Sequence, residues 1–467
     1  MKFNPFIYTL LLLLLGTTVQ AQDALGAEDF WQQVRRQHPL ARQAALLREM
    51  GQQELLQARA AFDPKFYAQH DQKTFGGKEY YEIGEGGLKI PTRLAGIEFK
   101  AGYDWTDPSG LYINPERNIP PAGQAILGFS IPLLRGLFTD EARADFRQAR
   151  IGQDLYLALA RDLENELYAS ALSAYWNWAY AHYAQDIAIE ALRYSEERMS
   201  GIVAAFVAGD NPAIDTLEAF LQVQSWSLEL QDATVALAQS QANLQALLWE
   251  DEAPTRTWNP VWSPQNPRQF GDLPAYADLE QLLLQHPALR GYDFKAQQLA
   301  EERRWKVEQF KPQLTLDYNL LANRLDFTPE QGGEISNLVA DNYKFGIRFE
   351  QPLFLRKARS GVALTDIKIA QNDWKRQQKQ QDLQTKLDAY WQTWELRSQQ
   401  SFAADQLVEN YARLLEAERT KFELGESSVF LLNSRLQKLL SARLKRLKLQ
   451  VERQKAAYML QYLANAW

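Results

Sequence analysis

Two different spacings of apolar residues divide this chain. Over 314–320, Leu314, Leu316, Tyr318 and Leu320 alternate with Thr315, Asp317 and Asn319, and further on Phe345, Ile347 and Phe349 alternate with Gly346, Arg348 and Glu350. A period of two gives a strand one apolar and one polar face, so both stretches predict β-strands. Residues 323–340 between them carry Gly, Asn and Pro and predict a loop. Earlier in the chain, Leu127, Phe129 and Ile131 face one way, and Ile97, Phe99, Ala101 and Tyr103 alternate with Glu98, Lys100, Gly102 and Asp104. Residues 139–208 and 357–424 behave differently, running without an internal proline and predicting helices roughly 100 Å long at about 1.5 Å per residue. Each breaks at a glycine beside an acid, Gly209-Asp210 or Gly425-Glu426, and returns as a shorter helix over 212–249 or 427–466. Their apolar residues, such as Leu383, Leu387, Tyr390, Trp391 and Trp394, sit among Gln, Arg, Lys and Glu. A seam this narrow suits coiled-coil packing better than a thick core.

The spacing hides a duplication. Gln37-His38-Pro39 returns as Gln285-His286-Pro287, and Phe62-Asp63-Pro64 returns as Phe310-Lys311-Pro312, both 248 residues later. The equal offsets mark equal segments, 27–62 and 275–310, each read as one helix of about 36 residues closed by a proline. Pro132-Leu133-Leu134-Arg135 is answered by Pro352-Leu353-Phe354-Leu355-Arg356 after 220 residues, and Tyr175-Trp176 by Tyr390-Trp391 after 215. The fall from 248 to 220 places 28 extra residues in copy one, within the strand region, enough for one additional hairpin. The expected plan is therefore a first repeat over 22–249 with strands within 65–132, a proline-rich linker over 250–274, and a second repeat over 275–467 with strands within 313–351. In each repeat the first and the returning helix together nearly match the long one, so they can lie end to end beside it.

Composition narrows the classes. The chain has 467 residues and no cysteine, which removes disulfides, thiolate metal sites and a lipidated N-terminal cysteine. A net charge of -7 argues against a broad nucleic-acid footprint. Lys2, the apolar run Phe6 to Leu15 and Val19-Gln20-Ala21 form the pattern of a signal peptide over 1–21. Beyond it there is no apolar run of about 18 residues, so the mature chain is either soluble outside the cytoplasm or enters a membrane as strands. Alternation alone also fits a soluble sandwich, with its polar face to water.

Candidate chemistry is sparse. His38, His70, His182 and His286 are too few and scattered for a metal site or a base-nucleophile pair, and His38 and His286 read as residues of a helix start before proline. No phosphate-binding loop of the GxxxxGK[ST] kind occurs, and no catalytic, cofactor-binding or metal-ligating residue is assigned. Two rival classes are a periplasmic or surface coiled-coil scaffold and a secreted glycan hydrolase using paired carboxylates.

Taken in order, these features resemble the TolC-like outer-membrane efflux family across essentially the whole mature chain. The carriers are the duplicated plan of helix, strands, long helix and returning helix, the string Pro-Leu-Leu-Arg-Gly at 132–136, and the tip motif Phe206, Gly209, Asp215. The resemblance implies an α+β membrane protein, a homotrimer lending about four strands per chain to one outer-membrane β-barrel above an α-helical periplasmic tunnel. It implies a passive exit duct for a tripartite pump or type I secretion system, without cofactors, contacting outer-membrane lipid. Its partners would be a periplasmic adaptor (membrane fusion) protein and an inner-membrane transporter of the RND, ABC or a similar class. Gly209, Asp210, Gly425 and Glu426 become the expected adaptor-docking tip, and Thr315, Asp317, Asn319, Arg348 and Glu350 expected barrel-lumen residues. The family constricts its tunnel with aspartates at the second tip. Here Leu431 and Ser434 stand six and nine residues after Gly425, while copy one offers Asp215 and Glu218 after Gly209. The expected constriction is Asp215, Glu218 and Asn433.

Overall fold

A computed structural model of the chain describes residues 24–106, 119–120, 123–250, 253–255, 258–268, 273–322 and 342–465. The expected leader over 1–21 and the loop over 323–340 lie outside the described residues. Copy one runs through β1 (Ala24–Leu25), α1 (Ala27–Gln37), α2 (Pro39–Arg59) with a 3-10 turn at Ala60–Phe62, then β2 (Lys65–Phe75), β3 (Lys78–Pro91), β4 (Glu98–Thr106) and β5 (Gln124–Pro132). The long helix α3 (Glu141–Ala208) and the returning α4 (Ala213–Gln245) close it. Two-residue strands β6 (Trp249–Glu250), β7 (Ala253–Pro254) and β8 (Ser263–Pro264) mark the linker. Copy two follows with α5 (Tyr276–Leu283), α6 (Pro287–Glu308), β9 (Gln313–Ala322), β10 (Tyr343–Glu350), α7 (Arg356–Glu423) and α8 (Val429–Ala464).

The single helices expected over 27–62 and 275–310 are each split in two, at Pro39 and Pro287. Proline donates no N–H and disfavours a helical residue before it, and His38 accordingly takes φ -66°, ψ 139°. Its ring then accepts from the Leu40 N–H at 3.2 Å, supplying a partner that the broken turn lacks. The long helix α3 begins at 141 rather than 139 because the Asp140 carboxylate accepts from the Arg143 N–H at 2.8 Å, an N-cap. At their far ends α3 and α7 stop in the same way. Gly209 and Gly425 adopt φ +88° and +76°, a left-handed conformation that a side chain would strain. The N–H of Asp210 bonds to Ala205 and that of Glu426 to Lys421, while Gly209 and Gly425 bond three residues back, giving two matching Schellman ends.

The chain divides into two compact units. One comprises the described residues through Ala44, Arg161–His286 and those from Gln381 onward. At its centre Phe30, Trp31, Tyr168, Tyr175, Trp176 and Trp178 are wholly buried. The Tyr175 hydroxyl donates to the Leu25 carbonyl at 2.6 Å and accepts from the Gln265 N–H at 2.8 Å, fixing the parallel pair β1 and β8. Burial holds this phenol far above its ordinary pKa, so it stays a donor. What reads as a linker is thus docked, with Trp258 edge-on to Trp178 at 5.3 Å. In the same unit α7 and α8 run antiparallel, Arg397 meeting Glu452 at 2.7 Å and Arg435 meeting Glu418 at 3.2 Å.

The other unit comprises Ala45–Ala160 and Pro287–Gln380. Here α6 lies antiparallel to α7 through Arg303–Asp366 and Arg376–Asp293, both 2.6 Å. Exposed pairs of this kind contribute under about 1 kcal/mol each and serve to fix the register of the helices. The strands form one six-stranded sheet of order β10-β9-β5-β4-β3-β2, antiparallel throughout. Copy one therefore supplies four strands and copy two supplies two, joined at β5 and β9. The hairpin expected from the extra residues is present.

Replacing Tyr175 by Phe leaves the Leu25 carbonyl and the Gln265 N–H without their partner, a loss of about 1–3 kcal/mol. Truncating Trp178 to Ala removes more, about 3–5 kcal/mol. Thermal unfolding of the purified protein in detergent, followed by tryptophan fluorescence, measures both, and an unshifted midpoint for Tyr175→Phe would contradict the pinning role.

Candidate functional site

Two regions collect the residues singled out by sequence. At the helix turns, Gly209, Asp210, Gly425 and Glu426 are all exposed, as a docking tip requires. The Schellman geometry puts them there, because a left-handed residue turns the chain sharply out of the helix. Asp215 lies in the first turn of α4 and Glu218 one turn on, both half-buried. Asn433 is placed differently. It is 6% exposed, and its side-chain oxygen accepts from the Arg198 guanidinium at 2.6 Å. The cause is its phase on α8, where Val429, Leu432, Leu436 and Leu440 form the buried stripe and Asn433 falls within it. Asn433 is thus a packing residue that holds Arg198.

Sequence reasoning missed the most constrained carboxylate of this end. Glu418 on α7 is 8% exposed, accepting from the Ser427 hydroxyl at 2.6 Å and from Arg435 at 3.2 Å. Those two hydrogen bonds hold its pKa below the usual glutamate value. A spacing of nine residues across the glycine turn carries no periodic signal. Nearby, Ile202, Ala219 and Val429 form a small core against Met199 and Phe422. Beside it opens a cavity of about 560 Å³ lined by Tyr194, Arg198, Arg419, Phe422 and Arg443, with Arg443 paired to Glu190 at 2.9 Å. Burial, and Arg419 alongside, lower the pKa of Arg198. This groove offers cations, carboxylates and apolar surface together, a mixture suited to a protein surface.

The second region is the sheet. Its register sorts the strand residues into two faces. One cross-strand row reads Ile90, Phe99, Phe129, Tyr318, Phe345, and the next Phe66, Leu88, Ala101, Leu127, Leu320, Tyr343. The opposite face carries Thr315 beside Arg348, Gln313 beside Glu350, and Asp317 next to Asn319 on the same strand. All five expected lumen residues therefore share one face. With them runs a row that sequence reasoning did not find, Lys65, Lys89, Lys100, Gly128, Asn319, Lys344, because it exists only in the register. The Lys89 ammonium lies 4.5 Å from the Tyr67 ring centre, and Lys100 reaches Asp317 at 3.9 Å, which relieves the repulsion of the row.

Comparison with known proteins agrees with this geometry. Residues 279–466 match the sequence model of the outer membrane efflux protein family. None of the curated proteins matches the chain in sequence. Among solved structures, the Neisseria gonorrhoeae MtrE outer membrane channel in its open state is 15% identical, with a TM-score of 0.67 over 94% of this chain and 88% of that one. The Campylobacter jejuni CmeC outer membrane channel is 14% identical, TM-score 0.64, over 94% and 85%. The Vibrio cholerae outer membrane protein VceC is 14% identical, TM-score 0.64, over 94% of each chain. The fold is that of the TolC-like channels.

Because the folded state lowers the pKa of Glu418, its bonds stabilise the second tip above the ordinary glutamate value and are lost as pH falls through and below about 4.5. Amide hydrogen exchange over 424–432 should therefore accelerate between pH 5 and pH 3 relative to the intrinsic rate. In Glu418→Gln that acid-induced step should vanish; a step persisting in the variant would assign it to another group.

Proposed function

We propose that the chain is a passive outer-membrane exit channel of the efflux type, trimeric, receiving solutes from an inner-membrane transporter through a periplasmic helical tunnel. The observation that carries this reading is the apolar face of the sheet. Phe66 is 76% exposed and Phe349 65%, and Phe99, Leu127, Phe345 and Ile347 are exposed with them on the same face. A folded protein in water does not leave the aromatic and aliphatic side chains of four strands uncovered on one face. Strands of 8 to 14 residues also have the length that tilted membrane strands need. The polar face, carrying Thr315, Asp317, Asn319, Arg348 and Glu350, then lines water.

Long thin helices serve the same purpose. At 68 residues each, α3 and α7 are roughly 100 Å long, more than a bilayer and enough to cross much of a periplasm. Transport in this reading is passive, since the energy belongs to the inner-membrane partner, an RND or ABC transporter or one of similar role. The tips at Gly209-Asp210 and Gly425-Glu426, with the groove beside Arg198 and Arg443, receive the periplasmic adaptor. Asp215 and Glu218 lie close to the first tip and set the charge at the tunnel entrance. A coiled-coil scaffold would need no apolar sheet face at all.

Charge substitutions on the two faces test the reading directly. Leu127→Arg and Phe345→Arg place a charge in hydrocarbon at about 2–4 kcal/mol each and should abolish the heat-modifiable outer-membrane species, whereas Asn319→Arg on the polar face should assemble normally. Equal recovery of all three in the membrane fraction would refute a lipid-facing role. For the entrance, neutralising Asp215 and Glu218 together should lower the cation preference of the trimer in a planar bilayer, read as a shift in reversal potential.

A further inference from the structure

The 28 extra residues of copy one fall within 65–97, the span of β2, β3 and the turn after them, and the structure shows where they go. Strand β3 pairs with β4 over nine consecutive residue pairs, from Ile83 with Thr106 to Pro91 with Glu98. That ladder occupies the outer edge of β4. Among the described residues the sheet therefore has two unpaired edges, β2 at one end and β10 at the other. Hydrocarbon leaves such edges nothing to bond to, so a lipid-embedded sheet must close.

We infer that the inserted hairpin is wall rather than appendage: β2 of one copy pairs with β10 of a second copy, and three copies close an 18-stranded barrel. This rests on the trimeric channel reading above and adds the seam and the strand number. Three features of the sheet support the second copy as occupant of the edge. The apolar face extends into the near rows of the hairpin, Phe66, Leu88 and Ile90 standing in the same rows as Leu127 and Phe129, before His70 and Glu82 follow on that face. The polar face also continues, with Lys65 and Lys89 in the row of Lys100 and Lys344. And the six strands alternate in direction, so that β10 returning in one copy is antiparallel to β2 departing in the next. A seam at β4, as in a four-stranded contribution, would require breaking the β3 ladder.

The consequence is size. With strands about 4.8 Å apart and tilted by about 40°, twelve strands give a barrel of about 24 Å backbone diameter and eighteen give about 36 Å. The outer-membrane segment would then be wider than a twelve-stranded duct, lined at one level by the row of Lys65, Lys89, Lys100 and Lys344 from each copy.

The chain contains no cysteine, so paired cysteines report the seam without background. Gln69→Cys or Asp71→Cys in β2 is combined with Lys344→Cys, Gly346→Cys or Arg348→Cys in β10, and the full-length protein is oxidised in outer membranes. At least one combination in register should give disulfide-linked dimers and trimers on non-reducing gels. The parallel set replaces the β2 position by Lys100→Cys or Gly102→Cys in β4. Trimers that cross-link only through β4, or through neither strand while remaining heat-modifiable, would overturn the 18-stranded seam and leave the channel reading standing. A chain recovered as a soluble monomer would overturn both.

Discussion

A backbone in hydrocarbon can bond only to itself, and in the proposed channel that requirement governs the sheet, its closure and the placement of side chains together. Six antiparallel strands satisfy one another internally but leave two edges, and an edge with no water beside it costs several kcal/mol per unsatisfied group. In the proposed trimer, closure with other copies removes that cost. The same requirement explains why the apolar residues lie in register rows across strands from both copies of the repeat. A row is what a lipid boundary meets, and a strand slipped by one residue would put Gly128 or Asn319 where Leu127 or Leu320 now stands.

Away from the sheet the solvent changes and so does the logic. Outside the aromatic core, the neighbours of the long helices are fixed by spaced pairs such as Arg376–Asp293 and Arg397–Glu452 together with small clusters such as Ile202, Ala219 and Val429. None of these contributes much singly. The dense packing is concentrated where Tyr175, Trp176 and Trp178 meet the first helix and the segment between the repeats. That concentration explains why a proline-rich stretch that reads as a linker is held by specific hydrogen bonds.

Much of the plan was legible in the sequence because its strongest signals are periodic. The long helices and the β9 and β10 strands declare themselves by spacing, and the 28-residue shift between matched motifs announces the hairpin. What escaped depends on contacts between distant residues. Strand β2 carries Gln69, His70, Asp71 and Gln72 in succession, so no alternation marks it, and only its pairing with Gly84 to Glu85 and Ile83 to Glu82 makes it a strand. Pro39 and Pro287 were read as landmarks of the repeat, yet their missing N–H breaks the helices that the reading ran through. Asn433 looked like an entrance residue by its distance from the turn, but the phase of α8 turns it inward onto Arg198.

The form of the insertion follows from the same geometry. Each repeat leaves the helical region through strands and must return to it to begin its long helix. A single added strand would deliver the chain to the opposite end of the sheet, away from the start of α3, and would reverse every face after it. Two added strands restore both direction and phase. That β2 and β3 are joined by the short turn at Gly76 and Gly77, both with positive φ, shows how little chain the reversal needs. A duplicated unit of this kind can therefore extend its sheet only by hairpins, and copy one carries one such step while copy two, among the described residues, carries none.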